Sequence, residues 1–267
     1  MGDILKKSGT ILDAIAAKKA LEIADISPEK IKRWNRKYGS SAFKKSTKFA
    51  KAILQDNVTV IAEIKKASPS AGVIRENLNV ESIAEMYGDN GAAAISVVTD
   101  SDFFQGELSW LKRVKDRVSL PVIRKDFILD EKQVFESKDA GADAVLLIAA
   151  ILDETTLNAL YGLIYKLGME VLVEIRSLKE LDMALGAGAE IIGINNRNLE
   201  NFKVGTEEFV QLVNQIPDNK IVVAESGIHK REDLLFIREH GADAVLVGTH
   251  LMRSENPGNA LYELIKG

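Results

Sequence analysis

Five charged side chains stand where charge is costly. Lys65, Lys125, Glu174 and Glu225 each close a run of apolar, mostly β-branched residues: Val58-Thr-Val-Ile-Ala-Glu-Ile-Lys65, Leu120-Pro-Val-Ile-Arg-Lys125, Met169-Glu-Val-Leu-Val-Glu174 and Ile221-Val-Val-Ala-Glu225. Glu63 lies inside the first run. Short runs of this kind read as strands buried on both faces, where a lysine or glutamate must be paired or put to use. A carboxylate beside an ammonium fixes it and keeps it charged, while burial pushes a lysine pKa down toward a range useful for proton transfer. The chemistry indicated is proton transfer. An internal ion pair plugging a core is the competing account for Glu63 and Lys65, and three further interior charges at one level favour a site. The chain has no cysteine, which removes a thiolate nucleophile, a zinc–thiolate centre and a disulfide.

The elements that must position these groups follow from their spacing. The four run ends lie 60, 49 and 51 residues apart, two βα units per step at about 25 residues each. Between them lies an internal repeat: Asn90-Gly-Ala-Ala-Ala-Ile-Ser-Val-Val-Thr99, Ala140-Gly-Ala-Asp-Ala-Val-Leu-Leu-Ile-Ala149, Ala187-Gly-Ala-Glu-Ile-Ile-Gly-Ile-Asn195 and His240-Gly-Ala-Asp-Ala-Val-Leu-Val-Gly-Thr249. In each, a glycine (Gly91, Gly141, Gly188, Gly241) follows an amphipathic helical pattern and stands where a helix end needs positive φ. Interleaving the two sets predicts eight strands, each followed by a helix. No Gly-x-Gly-x-x-Gly follows the first strand and the repeat runs evenly to the C-terminus, so a closed (β/α)8 barrel is expected rather than a doubly wound sheet. In such a barrel alternate strands share a layer and functional groups sit at strand C-termini, so Lys65, Lys125, Glu174 and Glu225 converge at one mouth. Alternation along the first strand turns Thr59, Ile61, Glu63 and Lys65 inward, with Glu63 and Lys65 about 7 Å apart.

Other strand ends add binding groups. Lys66-Ala-Ser-Pro-Ser-Ala-Gly72 is a rigid turn in which Ser68 offers a hydroxyl to an anion or a helix cap. Glu225-Ser-Gly-Ile228 and Val247-Gly-Thr-His250 are small-residue turns after strands seven and eight, the place where barrel enzymes often hold phosphate on backbone amides. Gly227, Gly248 and Thr249 are therefore phosphate candidates, with tight turns as the plainer reading; Ser226 is a further substrate-binding candidate, and His250 reads as a neighbour. At the end of the sixth strand Asn195 and Arg197 share a face and offer an amide and a forked cation suited to a carboxylate.

The chain of 267 residues is 46% hydrophobic and 28% charged, enough for one barrel domain, residues 1–267, with residues 1–57 as a helical extension packed on it. Ile11, Leu12, Ile15, Ala16 and Leu21 recur at helical spacing over residues 10–24, and Ser27-Pro28-Glu29 reads as the N-cap and first turn of a second helix ending near Gly39. Residues 1–51 hold 13 Lys and Arg against 5 Asp and Glu, whereas the remainder holds 22 against 34. The plain reading is solvated helices on an acidic barrel; the sharper one is a basic face that helps draw in an anionic ligand. A net charge of −4 and sparse aromatic interleaving argue against nucleic acid. No stretch suits a membrane span, and Asp3, Lys6, Lys7 and Asp13 break any signal-peptide pattern, so a cytoplasmic location, no membrane partner and no fused second enzyme are expected. No metal-ligand cluster is evident.

Ile61-Ala-Glu-Ile-Lys-Lys-Ala-Ser-Pro-Ser70 resembles the signature of the indole-3-glycerol phosphate synthase family. Arg124-Lys-Asp-Phe127, Leu172-Val-Glu174, Gly193-Ile-Asn-Asn-Arg197, Ala224-Glu-Ser-Gly227 and Leu246-Val-Gly248 are similar to its later blocks in order and spacing. The first block is highly specific, the others individually modest, and the likeness runs from the N-terminal helices to the last residues. It implies a lyase of tryptophan biosynthesis; no cofactor and a monomeric state are expected. Its substrate, 1-(2-carboxyphenylamino)-1-deoxyribulose 5-phosphate, closes to an indole with loss of carbon dioxide and water. By the family's pattern Lys125 is the general acid for ring closure, Glu174 and Lys65 serve later proton transfers, and Glu63 and Glu225 tune the lysines. Asn195 would hold polar groups of the substrate, Arg197 its carboxylate, and Ser68, Gly227, Gly248 and Thr249 its phosphate. Phe104, Phe127 and Leu147 would flank the aromatic ring.

The chain departs from the family at Asn79-Val80, where many relatives carry Asp-Pro, at Arg176, where His is frequent, at Glu107, where Ser is common, and at His250, where a small residue is usual. Two other enzyme classes compete: a phosphosugar isomerase barrel, which relies on Asp or Cys at strand ends, and a Schiff-base aldolase, in which a desolvated lysine attacks a carbonyl. A non-catalytic binding module gives no reason to set glutamates among the cations.

Overall fold

The computed structural model describes residues 9–39, 44–195 and 206–267. Eight strands form a closed parallel barrel: β1 (Thr59–Ile64), β2 (Ala94–Val98), β3 (Val122–Lys125), β4 (Ala144–Ile148), β5 (Glu170–Ile175), β6 (Ile191–Asn195), β7 (Ile221–Glu225) and β8 (Ala244–Val247). Each pairs with its sequence neighbours, and β8 closes on β1 with Thr59 beside Ala244. The expected barrel is therefore the fold. The strands are short and apolar because both faces are covered, by side chains within and helices outside.

Helices enter these strands as their glycines anticipate. Gly91, Gly141, Gly188 and Gly241 have φ of 92°, 88°, 83° and 97°, left-handed values that end one helix and launch the next strand. At the departure Asn79-Val80, Asn79 is the N-cap of the helix Val80–Asp89 and accepts from the Ser82 amide, so the pair caps a helix without a proline.

The N-terminal segment embraces both ends of the barrel. Helix α1 (Ile11–Ala24) is capped by Thr10, and Ile11, Leu12 and Ile15 line the cleft at the C-terminal mouth. Its buried stripe is Leu12, Ile15, Ala16, Lys19 and Ile23, the i, i+3, i+4, i+7 set of one helix face. Leu21, expected on that stripe, falls off it and is exposed, and Lys19 takes the buried place instead. Helix α2 (Pro28–Tyr38) starts at the Ser27 cap, and its Trp34 and Tyr38 stack on Phe135 with centroids 6.4 Å away in each case. Helix α3 (Lys48–Ile53) lies at the N-terminal end, where the Glu170 carboxylate accepts from the amides of Phe49 and Ala50 at 2.6 and 2.9 Å. A carboxylate at a helix start satisfies amides that have no intrahelical partner. The basic residues of this segment pair with the acidic barrel: Arg33 and Lys37 with Asp139, Lys45 with Glu190 and Lys48 with Asp143. No described helix is long and apolar enough to cross a membrane.

Candidate active site

Register brings the interior charges to one level. In parallel pairing neighbours point to the same face, and Glu174 lies beside Ile148 and Gly193, Glu225 beside Asn195 and Leu246, Lys125 beside Val98 and Glu63 beside Ser96. Glu63, Lys125, Glu174 and Glu225, with Val98, Ile148, Asn195 and Leu246, line a cleft of about 1130 Å³, its open mouth included. The cleft also takes in Lys65, Ser68, Phe104, Phe127, Ser226, Gly227, Gly248 and Thr249. Arg197 lies outside the described residues. Leu147 is the misplaced one: it registers with Val173 on the outward face, buried against the helices, while Leu146 and Ile148 face the cleft. Val-Leu-Leu-Ile is apolar on both faces, so nothing in the sequence marks which of its residues turns inward.

Two ion-pair groups form the floor. Lys65 Nζ meets Glu63 Oε1 at 2.7 Å. Lys125 Nζ donates to Glu225 Oε2 at 3.0 Å and to Glu174 Oε2 at 3.3 Å. Glu174 Oε1 accepts from Arg176 Nη2 at 2.8 Å and Asn195 Nδ2 at 3.0 Å. Asn195 Oδ1 accepts from the Ser226 hydroxyl at 3.2 Å.

Environment drives the two carboxyls apart. Burial opposes charge on Glu174, but Lys125, Arg176 and the Asn195 hydrogen bond outweigh it and hold Glu174 well below the usual carboxylate range. On Glu225 burial prevails, aided by the neighbouring Glu174 charge, and pushes the carboxyl up to about 7 although Lys125 opposes it. Glu225 Oε1 has no hydrogen-bond partner among the described residues. Burial also works against the Lys125 charge, yet Glu225, Glu174 and Glu63 prevail and hold the ammonium above its ordinary value. The expectation that burial brings a site lysine down therefore fails for Lys125, because its partners are carboxylates at contact distance.

Two glycines make room for this layer. A Cβ on Gly193 of β6 would lie 2.4 Å from Glu225 Oε1, and one on Gly248 would lie 2.2 Å from Glu63 Oε1. Ser226 follows Glu225 with φ of 69°, a left-handed conformation that costs a non-glycine residue on the order of 1 kcal/mol or more and is typical of functional turns. Phe104 and Phe127 form one wall, centroids 6.0 Å apart. Sequence reading missed Ile11, Leu12 and Ile15, whose approach to the mouth is a long-range packing outcome with no local signal. It noted Arg176 only as a departure, His250 as a departure and a neighbour of the phosphate turn, and His229 not at all; the two imidazoles meet edge to face at 6.3 Å on the rim.

A parallel barrel with lysines and glutamates in contact at its C-terminal mouth defines a (β/α)8 enzyme of the acid–base class. The model of the family "Indole-3-glycerol phosphate synthase" matches residues 12–264. Indole-3-glycerol phosphate synthase from Legionella pneumophila (strain Paris) is 48% identical over 206 residues, 77% of this chain and 80% of that protein. The one from Acetivibrio thermocellus is 40% identical over 255 residues, 95% of this chain and 98% of its own. Among solved structures, thiamine phosphate pyrophosphorylase from Pyrococcus furiosus has a TM-score of 0.58 at 19% identity, covering 78% of this chain and 94% of that one. KGPDC from Streptococcus mutans has 0.61 at 11%, covering 79% and 96%. At such identities these two speak for the fold alone. The chain belongs to the indole-3-glycerol phosphate synthase family, and its activity is that of a carboxy-lyase of tryptophan biosynthesis.

Proposed function

We propose that Lys125 is the general acid of ring closure and Glu174 the base that restores aromaticity. The substrate is 1-(2-carboxyphenylamino)-1-deoxyribulose 5-phosphate. Its arene carbon attacks the ketone, whose oxygen takes a proton from the Lys125 ammonium as the new carbon–carbon bond forms. Carbon dioxide leaves, the hydroxyl departs as water, and a final proton goes to a carboxylate. The observation that carries this reading is the placing of Lys125 Nζ between Glu225 and Glu174, at 3.0 and 3.3 Å, which keeps the lysine charged and ready to donate. Lys65, paired with Glu63, serves a later proton transfer, and the dehydration falls to it or to Glu174.

Binding groups surround this centre. The turns Ser226-Gly227 and Gly248-Thr249, with Ser68, are assigned to the phosphate, supported by their common place on the cleft wall after β7 and β8 and after β1. Asn195 is assigned to substrate polar groups, and Phe104 and Phe127 to the ring. Arg197 is assigned to the carboxylate on its sequence motif alone. We place the enzyme in the cytoplasm as a monomer, a location with which the cysteine-free sequence is compatible.

The test is turnover of the synthetic substrate, followed by indole fluorescence, with and without borohydride. Indole formation without a trapped adduct is expected. A covalent adduct at Lys65 or Lys125 would replace acid–base chemistry with a Schiff base.

A further inference from the structure

Arg176 stands at the end of β5, two residues beyond Glu174, with its guanidinium on the cleft wall. Its backbone is fixed by a helix start: the Arg176 amide donates to Glu180 Oε2 at 2.8 Å, and the Glu180 amide donates to the capping Ser177 hydroxyl at 3.3 Å. From that anchor the side chain returns to Glu174 and donates to Oε1 at 2.8 Å. Asn195 donates to the same oxygen at 3.0 Å. The other oxygen, Oε2, has the Lys125 ammonium at 3.3 Å, the longest of the three contacts.

We infer that Arg176 is a positioning residue for Glu174: with Asn195 it saturates Oε1 and so leaves Oε2 as the oxygen that accepts the proton. The inference rests on the reading of Glu174 as base. An oxygen accepting from a guanidinium and an amide has its lone pairs engaged in short bonds, whereas one facing a single longer contact keeps a lone pair for a proton. The clamp also restrains the carboxyl group from rotating, because both donating side chains are anchored at strand ends, Arg176 just past β5 and Asn195 closing β6. The contact is made by Nη2 alone, Nε having no hydrogen-bond partner among the described residues, and the planar guanidinium directs that one donor more rigidly than a flexible ammonium would. The arrangement has a cost in basicity. A cation beside the base favours the ionised form, so Arg176 trades proton affinity for a fixed oxygen and a carboxylate that stays charged in mild acid.

Single-turnover rates against pH, with KM measured alongside, test this on four variants. Arg176→Gln is expected to slow the chemical step by about 10- to 100-fold with little change in KM, as misplacement of a catalytic group does. It also moves the acid-side midpoint to higher pH, because Glu174 then takes a proton more readily. Arg176→Lys retains the charge and is expected to restore the midpoint but only part of the rate. Glu174→Gln abolishes most of the rate, and the double variant Glu174→Gln/Arg176→Gln is expected to be no slower than Glu174→Gln. A raised KM at unchanged rate in Arg176→Gln, an unmoved midpoint, or added loss in the double variant would overturn the inference while leaving Glu174 as base. Near-normal turnover in Glu174→Gln would remove the base assignment and this inference with it.

Discussion

Two buried charge clusters lie back to back around β3, and their carboxylates Asp126 and Glu225, one in each, differ in how fully their oxygens are satisfied. Arg124 and Asp126 belong to one, and Lys125 between them to the other. In the closed cluster Asp126 accepts from Lys19, Arg124, the Thr99 hydroxyl and the Phe127 amide. Asp100 meets Lys19 at 2.9 Å and accepts from the amides of Phe103 and Phe104. Arg124 also reaches the Gln133 carbonyl, Ser137 and Glu136. Burial opposes the Asp126 charge, but Arg124, Lys19 and Thr99 outweigh it and bring the carboxyl down to about 2. In the open cluster Lys125 is divided between two glutamates and Glu225 Oε1 has no hydrogen-bond partner among the described residues, and burial, aided by the Glu174 charge, pushes Glu225 up to about 7. Saturation freezes a protonation state, and a missing donor leaves one free to change. The same residue types thus build a strut on one side of β3 and proton-transfer machinery on the other.

The contrast breaks first at Lys125. Lys125→Met is expected to lower the single-turnover rate per folded molecule about 10²- to 10⁴-fold while substrate binding changes little. A mild loss of turnover would make the open cluster a strut as well. Lys19→Met is expected to show the opposite signature: a loss of about 3–5 kcal/mol in denaturant unfolding, since two buried aspartates lose their shared cation, with turnover per folded molecule within a few-fold of wild type. Acid unfolding sharpens the same point. Because the Asp126 pKa is depressed in the folded state, its contribution to stability is present above about 4 and is lost as pH falls toward 2; Asp126→Asn removes that part of the acid dependence. The smallest effect concerns Glu225. Its raised pKa leaves it protonated below about 7 and ionised above, so its contribution to stability declines from about 4.5 to 7. A carboxylic-acid infrared band at pH 6 that fades through pH 7 and is absent in Glu225→Gln is the expected sign.

Much of the frame was legible in the sequence because periodicity and punctuation agreed. The charged ends of β1, β3, β5 and β7, the four glycines before β2, β4, β6 and β8, and the Ser27-Pro28 helix start all stand where local rules put them. Side-chain direction was legible only where polarity alternates. Glu63 and Lys65 mark their own face, whereas the apolar run of β4 gives no sign that Leu146 and Ile148 rather than Leu147 look inward. Lys19 was hidden for the opposite reason: a lysine on an otherwise apolar stripe reads as solvent-facing, and only the arrival of Asp100 and Asp126 from distant strands explains its burial. The contact of Arg176 with Glu174 depends on how far a guanidinium folds back, which spacing does not encode.

Gly193 and Gly248 carry a consequence for how this sequence can drift. Each is the vacant half of a lock whose key is a glutamate on the adjoining strand, Glu225 on β7 and Glu63 on β1. The two positions of each lock are sterically coupled. A side chain at Gly193 requires Glu225 to shorten or move, and one at Gly248 requires both Glu63 and the Lys65 ammonium to give way, so the charged layer constrains its neighbours across adjoining strands.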